Sequence, residues 1–403
     1  MNKKLVAAAI VGLLAAPLVQ AQTANVTLYG SVRAGPFYTK FSGPTASNSL
    51  LSIDSVSSRW GLRGSESLGG GMNAIFQCET GFGNDNPSST SLCNREGWIG
   101  LNGGWGELKF GTGLTPYDDV LGLAGHFGST GLEHRNNGVS GGLGFGPGSG
   151  NGLFNNYYGG QASTFNGAFD ARYSNSFSYK TPTWAGFNLR TQYSIVDETA
   201  TKKGKAWDTA GIYNNGPATF GLTYASHANF SGVGGTIGTA AAPAYNDQQA
   251  LRGYGAWNFG FMKIDGTLEQ LKYKFDNAPL AGYGNSFKAL YYELGVTAPI
   301  GAWVVGAQFS TRDKGLAHAY NAGLSSASVN GNVFNPTPAM LANWNEGGGD
   351  HWALVADYNL SKRTLVRSLY GWLRNEGTYN TVTNKMDGNS KIQQIAVVLW
   401  HNF

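Results

Sequence analysis

The chain of 403 residues contains little charge, since only 13% of its residues are Asp, Glu, Lys or Arg. Soluble domains carry about twice that share, so the composition is atypical of a soluble protein. The formal net charge is only +4. So small an excess of positive charge does not provide the electrostatic footprint of a nucleic-acid-binding protein.

Long apolar runs are also absent beyond the first twenty-odd residues. A membrane helix needs about 18 or more such residues, which excludes a protein built from membrane-spanning helices. At the N-terminus, Lys3 and Lys4 precede an apolar stretch over 5–18 and the small-x-small site Val19–Ala21. This pattern predicts a cleaved signal peptide over residues 1–21, and the alternative is a buried N-terminal helix. Cleavage removes two lysines and no acids, lowering the formal charge from +4 to +2.

There are only two cysteines, Cys78 and Cys93, and they flank a polar loop from Gly81 to Asn94. In the oxidising cell envelope they can close this loop as a disulfide. The alternative is a pair of free thiols, one of which faces lipid.

Motifs for metal binding or catalysis are scarce. The six histidines lack metal-ligand spacing, and neither H-E-x-x-H nor C-x-x-C occurs, so we predict no metal and no cofactor. The segment Gly138–Gly142 fits the G-x-S-x-G pattern, but no strand-to-helix elbow is visible around it. We therefore predict no catalytic residue and keep a hydrolase as an alternative.

An alternation with period two recurs through the rest of the chain. Near the start of the mature chain, Val26, Leu28 and Val32 alternate with polar residues that include Arg33. In a later run, Tyr173, Phe177 and Tyr179 share the apolar face and Arg172 lies on the polar one. Each run has about the 9–11 residues of a tilted membrane strand between lipid and water.

Short glycine-containing turns alternate with long polar connections, and the longest connection is 113–170. We therefore predict a single all-β domain over 22–403, a transmembrane antiparallel β-barrel of about sixteen strands with short periplasmic turns and long outer loops. The weakest strand predictions are Lys205–Tyr213 and Arg95–Leu101. A soluble β-sandwich or β-helix is the alternative, but it does not explain aromatic residues at strand ends, where barrels have interface girdles. These residues are Trp60, Phe110, Trp257, Tyr273, Trp303, Trp352, Trp372 and Trp400.

Several segments, in the same order from end to end, resemble the Gram-negative trimeric general porin family. They are Asn25–Gly30, Ser58–Gly71, Trp98–Leu101 with Trp105–Gly111, Thr115–Asp118, Arg172–Tyr179, Tyr358–Thr364 and the terminal Phe403. The resemblance implies a sixteen-stranded trimeric barrel whose third loop folds into the lumen and narrows the pore. It also implies a location in the outer membrane of a Gram-negative bacterium, contact with its lipid, and recognition by the barrel-assembly machinery through Phe403. The chain departs from the family at Thr112, where arginine is usual.

The implied function is passive diffusion of ions and small polar solutes through a water-filled channel. Alternation places a set of basic residues on the lumen side, namely Arg33, Arg59, Arg63, Lys109, Arg172 and Arg190. The third loop offers facing acids at Asp118, Asp119 and Glu133, and such an arrangement makes a transverse field. The alternative is that each charge is a solvated residue far from any constriction.

We expect a weak preference for anions, opposed by Glu79, Glu107 and the loop acids. A substrate-specific channel is a further alternative. The inward aromatic residues that would favour it, Tyr29, Tyr291 and Trp400, are scattered rather than arranged as a ladder.

Overall fold

A computed structural model of the chain describes most of the strands and parts of their connections. The described residues are 25–42, 47–84, 91–123, 169, 172–195, 204–230, 246–275, 286–312, 327–329, 332–334, 349–380 and 385–403. The predicted signal peptide, the G-x-S-x-G segment and Glu133 lie outside them.

Antiparallel strands account for nearly all of the described residues. The strands are β1 (Asn25–Ser42), β2 (Ser47–Ser55), β3 (Arg59–Gly69), β4 (Met72–Gly81), β5 (Glu96–Gly103), β6 (Gly106–Leu114), β7 (Arg172–Lys180), β8 (Phe187–Ile195), β9 (Lys205–Asn215), β10 (Ala218–Phe230), β11 (Asn246–Asn258), β12 (Lys263–Phe275), β13 (Ser286–Ile300), β14 (Trp303–Arg312), β15 (Ala327–Val329), β16 (Asn332–Phe334), β17 (Gly349–Asn359), β18 (Thr364–Asn380) and β19 (Lys385–Asn402). One short helix, α1 (Pro116–Gly122), follows β6. Among the described helices, none has the length and apolar character needed to cross a membrane.

Seventeen of these strands form one closed sheet, and β15 and β16 form a separate hairpin. Strands β2 and β3 follow each other along the chain and both pair with β1, so they occupy one position of a sixteen-stranded wall. The two weakest strand predictions correspond to β9 and β5. The predicted antiparallel barrel of about sixteen strands is therefore confirmed.

The barrel closes where β19 pairs with β1. The backbones of Gly30 and Phe403 exchange hydrogen bonds of 3.2 and 3.1 Å. A Cβ atom on Gly30 would lie 2.3 Å from Cζ of Phe403, so glycine at this position leaves room for the terminal ring. Closure pairs the edge strands, which a wall surrounded by hydrocarbon requires.

The two faces of the wall have opposite character. Large apolar side chains are exposed on the outward face, among them Val26, Leu28, Leu222, Leu268, Leu294 and Leu354. The strand registers place Ser31, Arg33, Gln192, Glu293 and Gln308 on the inward face. Phe110, Trp257, Trp303 and Trp352 are exposed on the outward face, as the girdle prediction required. Trp400 lies on the inner face opposite Arg33, as the alternation predicted, so it does not belong to the girdle.

Candidate functional site

Helix α1 lies inside the barrel, against the inner faces of β8, β9, β10 and β11. Its Tyr117 and Val120 side chains have no solvent exposure. The hydroxyl of Thr115, just before the helix, donates a 2.6 Å hydrogen bond to the carbonyl oxygen of Phe169. The described parts of the 113–170 connection, namely 113–123 and Phe169, therefore lie together inside the lumen, which is where the connection was predicted to enter.

Tyr117 attaches the helix to β11 and β12. Its hydroxyl donates a 2.7 Å hydrogen bond to Oε1 of Glu269. The guanidinium of Arg252 lies 4.2 Å from the Tyr117 ring centroid and 3.3 Å from Oε2 of Glu269. All three side chains are fully buried, so the charges of Arg252 and Glu269 are compensated away from water.

The other side of the helix packs on an apolar surface. Val120 contacts a buried cluster formed by Ala210, Tyr254 and Ala256. Gly221 of β10 leaves space for it, because a Cβ atom there would lie 2.8 Å from Cδ1 of Leu123 and 3.0 Å from Cγ1 of Val120. The small residues of β9 and β10 therefore form the floor on which α1 rests.

Aromatic contacts hold Phe169 at the far end of the same connection. Its ring centroid lies 5.5 Å from that of Tyr117 and 4.9 Å from that of His227. His227 Nε2 lies 3.3 Å from Oδ1 of Asp208, and both side chains are fully buried. The ring of Tyr173 meets His227 edge-on at 5.5 Å.

The position of Tyr173 corrects one prediction. Period-two alternation placed it on the outward face with Phe177, but it is buried on the inner side. Asn175 has a positive φ of 51°, and the β6–β7 register shifts between Gly111 and Gly113. This irregularity changes the alternation, so Tyr173 and Arg172 both reach the lumen side.

A cavity of about 190 Å³ lies between α1 and the inner faces of β4 to β7, and Arg190 and Gln192 of β8 also line it. Its lining includes Gln77, Glu96, Trp98, Lys109, Thr112, Asp119, Ser176, Ser178, Arg190 and Gln192. The structure thus brings three predicted residues, Lys109, Arg190 and Asp119, to one cavity. Thr112, the position of the family's usual arginine, lines it as well.

Arg190 joins the wall to the helix. Its Nη1 lies 2.8 and 2.7 Å from the two carboxylate oxygens of Asp119. Its Nη2 donates to the Leu114 carbonyl at 2.5 Å and to Oε1 of Gln192 at 3.2 Å. These bonds fix the guanidinium at the edge of the cavity.

Lys109 has a carboxylate and an aromatic partner. Its Nζ lies 2.6 Å from Oε1 of Glu107 and 4.0 Å from the ring centroid of Trp98. Trp98 Nε1 donates a 2.9 Å hydrogen bond to Oε2 of Glu96. The cavity wall therefore carries charges of both signs at close range.

Three arginines surround two carboxylates next to this cavity. Arg59 and Arg95 lie 3.5 and 2.7 Å from Glu79, and Arg172 lies 3.8 Å from Glu96. The arginine side chains are 25–29% exposed, whereas Glu79 and Glu96 are 10% and 13% exposed. The cations therefore meet the water of the lumen, and the carboxylates lie behind them.

Arg63 and Arg33 have different surroundings. Arg63 is exposed on the inner face, with its guanidinium 5.1 Å from the Tyr29 ring and no ion pair to any carboxylate among the described residues. Arg33 is only 3% exposed, stacks 3.4 Å from the Trp400 ring and donates to Ser31 at 2.9 Å. The alternation placed both on the correct face, but Arg33 lies outside the cavity.

The sequence analysis did not predict that Arg95 and Glu96 belong to the charged inner wall. Glu96 alternates with Trp98 and Gly100, which was a signal for its inward direction. Arg95 precedes β5 and belongs to no regular alternation, so only the fold brings it to Glu79. Asp118 lies in the first turn of α1 next to Asp119.

Cys78 and Cys93 are joined as a disulfide, with Cα atoms 4.7 Å apart. Cys78 opposes Leu62 on the outward face, and Cys93 lies over Gly97. The bond therefore ties the connection after β4 to the outside of the wall. In the described part of the chain, no group of three His, Cys, Asp or Glu residues is arranged to hold a metal ion.

Known proteins match this chain over most of its length. A family model described as Gram-negative porin matches residues 6–378. The outer membrane porin protein 32 of Delftia acidovorans is 31% identical over 307 residues, which cover 75% of this chain and 77% of that protein.

Solved structures match over an even larger share of the chain. An anion-selective porin from Comamonas acidovorans superimposes with a TM-score of 0.66 at 25% identity, covering 94% of this chain and 100% of its own. The trimer form of OmpT from Vibrio cholerae gives a TM-score of 0.59 at 16% identity and covers 95% of this chain and 100% of its own. The second likeness shows the fold alone.

Proposed function

Because this chain belongs to the Gram-negative porin family, we propose that its channel passes small anions in preference to cations. The chain is an outer-membrane porin, and its barrel encloses a channel for ions and small hydrophilic solutes. The preference for anions depends on which charges of the inner wall meet water.

One observation carries the proposal, namely the difference in exposure between the cations and the carboxylates in the clusters around Glu79 and Glu96. In the pairs Lys109–Glu107 and Arg190–Asp119 the carboxylate is the more exposed partner, so these two acids reduce the preference. Arg59, Arg95 and Arg172 are 25–29% exposed, and the carboxylates they contact are 10–13% exposed. Fixed charge next to water raises the local concentration of ions of opposite sign. The exposed Arg63, which has no carboxylate partner among the described residues, adds to this positive field.

Acids on the other side of the lumen do not cancel this field. Glu269 is fully buried between Tyr117 and Arg252. Glu293 is 6% exposed and accepts hydrogen bonds from Tyr291 at 2.5 Å and Gln308 at 2.9 Å. Because both carboxylates are shielded and paired, they contribute less to the electrostatic potential in the open channel than the water-exposed Arg59, Arg95 and Arg172 do.

The test is the reversal potential of the purified porin in a planar bilayer under a salt gradient. We expect the sign of an anion preference, and a cation preference would overturn the proposal. Replacing Arg59 and Arg63 together with glutamine should lower the anion-to-cation permeability ratio about tenfold or more at low salt, because each unit charge roughly 8 Å from the ion path in water changes the energies of an anion and of a cation by about 0.5 kcal/mol in opposite directions. The matched control is Lys362→Gln/Arg363→Gln, which removes two charges from the exposed turn after β17. An unchanged ratio in the variant of Arg59 and Arg63 would remove these two arginines from the selective region.

We further propose that the porin assembles as a homotrimer. The family and the trimer form of the Vibrio cholerae neighbour support this assembly. Cross-linking of the native protein in outer membranes should give a species of three chains, and a monomer alone would contradict it. Recognition by the barrel-assembly machinery through Phe403 is part of the same proposal, and deletion of Phe403 should slow insertion.

The family is one of channels, and we propose that this member catalyses no reaction. Hydrolysis of a lipid or ester substrate by the purified protein, lost with a serine-directed inhibitor, would contradict this view.

A further inference from the structure

We propose that the Cys78–Cys93 disulfide holds Arg95 in the lumen and is thereby a determinant of ion selectivity, an inference that rests on the proposed preference for anions. Arg95 differs from two other cations of the inner wall in its place on the chain. Arg59 and Arg172 are the first residues of β3 and β7, where strand pairing fixes their backbones. Arg95 instead precedes β5 and belongs to the connection after β4. Its position therefore depends on what fastens this connection to the wall.

The Arg95 side chain is held against the last residues of β4. Its backbone N–H donates a 3.0 Å hydrogen bond to the carbonyl oxygen of Glu79, and its Nε lies 2.7 Å from Oε1 of the same residue. Its methylene groups cross Gly81, where a Cβ atom would lie 3.0 Å from Cδ of Arg95. The side chain keeps 25% of its surface exposed. These contacts place a cation beside the water of the channel only while residues 91–95 remain against β4.

Two further hydrogen bonds and the disulfide fasten this segment to β4. The Cys93 N–H donates to Oγ1 of Thr80 at 2.8 Å, and the Gly81 N–H donates to Oδ1 of Asn94 at 2.9 Å. The Asn94 bond is exposed, and a hydrogen bond exchanged against water contributes little net stability. The disulfide is the covalent link, and it joins residues 15 positions apart in the sequence. Its loss would free the enclosed loop to sample more conformations, at the expense of the ordered one.

The disulfide lies on the opposite side of the wall from the Arg95 guanidinium. Cys78 faces outward, and its partner on β5 is Gly97. A Cβ atom on Gly97 would lie 3.1 Å from Cβ of Cys93, so glycine leaves room for Cys93 there. Cys93 has a positive φ of 55°, which is uncommon for a residue with a side chain. The bond therefore holds an unfavourable turn just before Arg95, and it anchors the segment on the outward side while the cation reaches the lumen.

Arg95 determines the net charge of the cluster around Glu79. Arg59 and Arg95 lie 3.5 and 2.7 Å from this carboxylate, so two cations share one anion and the cluster carries an excess of positive charge. With Arg95 withdrawn, Arg59 and Glu79 neutralise each other. A neutral cluster no longer raises the local concentration of anions at this part of the channel. The disulfide therefore acts on permeating ions through Arg95.

The experiment is a double-mutant cycle on the anion-to-cation permeability ratio, measured from reversal potentials in planar bilayers. Cys78→Ser/Cys93→Ser should lower the ratio about two- to fivefold at low salt, and the upper value corresponds to complete loss of a unit charge roughly 8 Å from the ion path. Arg95→Gln should lower it at least as much. Adding the cysteine changes to Arg95→Gln should have no further effect, because the bond then has no cation to hold. Screening should shrink all these differences at high salt.

The matched control is the same pair of cysteine changes in an Arg172→Gln background. Arg172 also lies beside a carboxylate of the inner wall, but the pairing of β6 with β7 positions it. The cysteine changes should therefore lower the ratio in this background by the same factor as in the parent. An unchanged ratio after loss of the disulfide would overturn the proposal. So would an equal further fall on top of Arg95→Gln, since the bond would then act without Arg95.

Reduction of the channel after insertion separates this effect from folding. Dithiothreitol added to the parent channel should lower the ratio, and alkylation of both thiols verifies that the bond is open. The Arg95→Gln channel should not respond, whereas a general loosening of the channel mouth would change both channels and contradict the role of Arg95. The readout is the change in the ratio, not its sign. A preference for cations would therefore contradict the proposed function and leave the role of the disulfide still measurable.

Discussion

Two ion pairs on the inner wall have nearly the same geometry but different surroundings. Arg190 lies 2.7 Å from Asp119 beside the cavity, and Arg367 lies 2.7 Å from Asp357 on the wall of β17 and β18. The first pair is 17% and 27% exposed, and the second is 3% and 4% exposed. Distance and charge alone therefore do not determine whether an ion pair of this barrel contributes to stability or to ion selectivity.

The buried pair Arg367–Asp357, here called the dry pair, belongs to a sector of the barrel whose inner face is apolar. Six buried side chains of β1, β17, β18 and β19 form one cluster there, namely Phe37, Ala353, Val355, Leu369, Ala396 and Val398. They are no more than 4% exposed although they point inward. An inward position on this wall is therefore not equivalent to contact with water.

The energetic roles of the two pairs follow from these surroundings. A buried pair is stabilised by strong attraction but leaves an expensive charge when one partner is lost. A pair next to water is screened and contributes little to stability, yet its charges act on passing ions. We therefore expect the dry pair to contribute to the free energy of unfolding. The exposed pair Arg190–Asp119, here called the wet pair, should instead contribute to ion selectivity.

The largest expected effect is that of Asp357→Asn. This change leaves the Arg367 guanidinium buried without its carboxylate, which should lower the free energy of unfolding by about 3–5 kcal/mol. Urea denaturation of the protein in lipid vesicles measures the loss. Asp119→Asn is the matched control, because its partner Arg190 can keep its bonds to Leu114 and Gln192. Equal destabilisation by the two changes would contradict the distinction between dry and wet pairs.

A smaller effect is expected from Gly221→Val on the floor beneath α1. The new side chain would overlap Leu123 and Val120, and overpacking of this kind costs about 1–3 kcal/mol. We expect α1 to move away from the wall, so single-channel conductance should change together with stability. Gly253→Val is the matched control, because a Cβ atom there has no neighbour within 4 Å. If both variants conduct like the parent, α1 does not narrow the channel.

Much of the fold was predictable from the sequence because a wall between lipid and water requires alternation. Leu290, Tyr292 and Leu294 face outward and Tyr291 and Glu293 face inward, as the alternation predicted. Where the backbone leaves regular strand geometry, alternation no longer predicts which face a side chain occupies, and Tyr173, two residues before the positive φ of Asn175, is the example.

The site was less predictable from the sequence. Alternation predicts which face of the wall a side chain occupies, but it does not predict which residues the side chain contacts or how much of it meets water. Arg33 and Arg59 have the same pattern in the sequence, yet one stacks on Trp400 and the other meets Glu79. Trp400 lies on the last strand and reaches Arg33 only because the barrel closes there, whereas Glu79 reaches Arg59 through the β3–β4 hairpin. The contact between Asp119 and Arg190 also requires α1 to enter the lumen.

A modest change in selectivity is expected from Asp119→Asn. The substitution removes the negative charge beside Arg190 but leaves the other hydrogen bonds of the guanidinium. The anion-to-cation permeability ratio should rise about fivefold at low salt, since a unit charge roughly 8 Å from the ion path in water changes the energies of an anion and of a cation by about 0.5 kcal/mol in opposite directions. Reversal potentials at low salt give the ratio, and screening should shrink the difference at high salt. A fall in the ratio would mean that Arg190 does not act on the permeating ions.

The smallest effect is expected from Glu107→Gln at the edge of the same cavity. Glu107 and Lys109 are 29% and 24% exposed, so their ion pair is screened and should contribute less than about 1 kcal/mol to stability. Lys109 also keeps its contact with the Trp98 ring, which holds the ammonium in place after the change. Urea denaturation in vesicles should therefore give a midpoint close to that of the parent protein. A loss as large as that of Asp357→Asn would show that an ion pair on this wall can be essential to stability even when water reaches it.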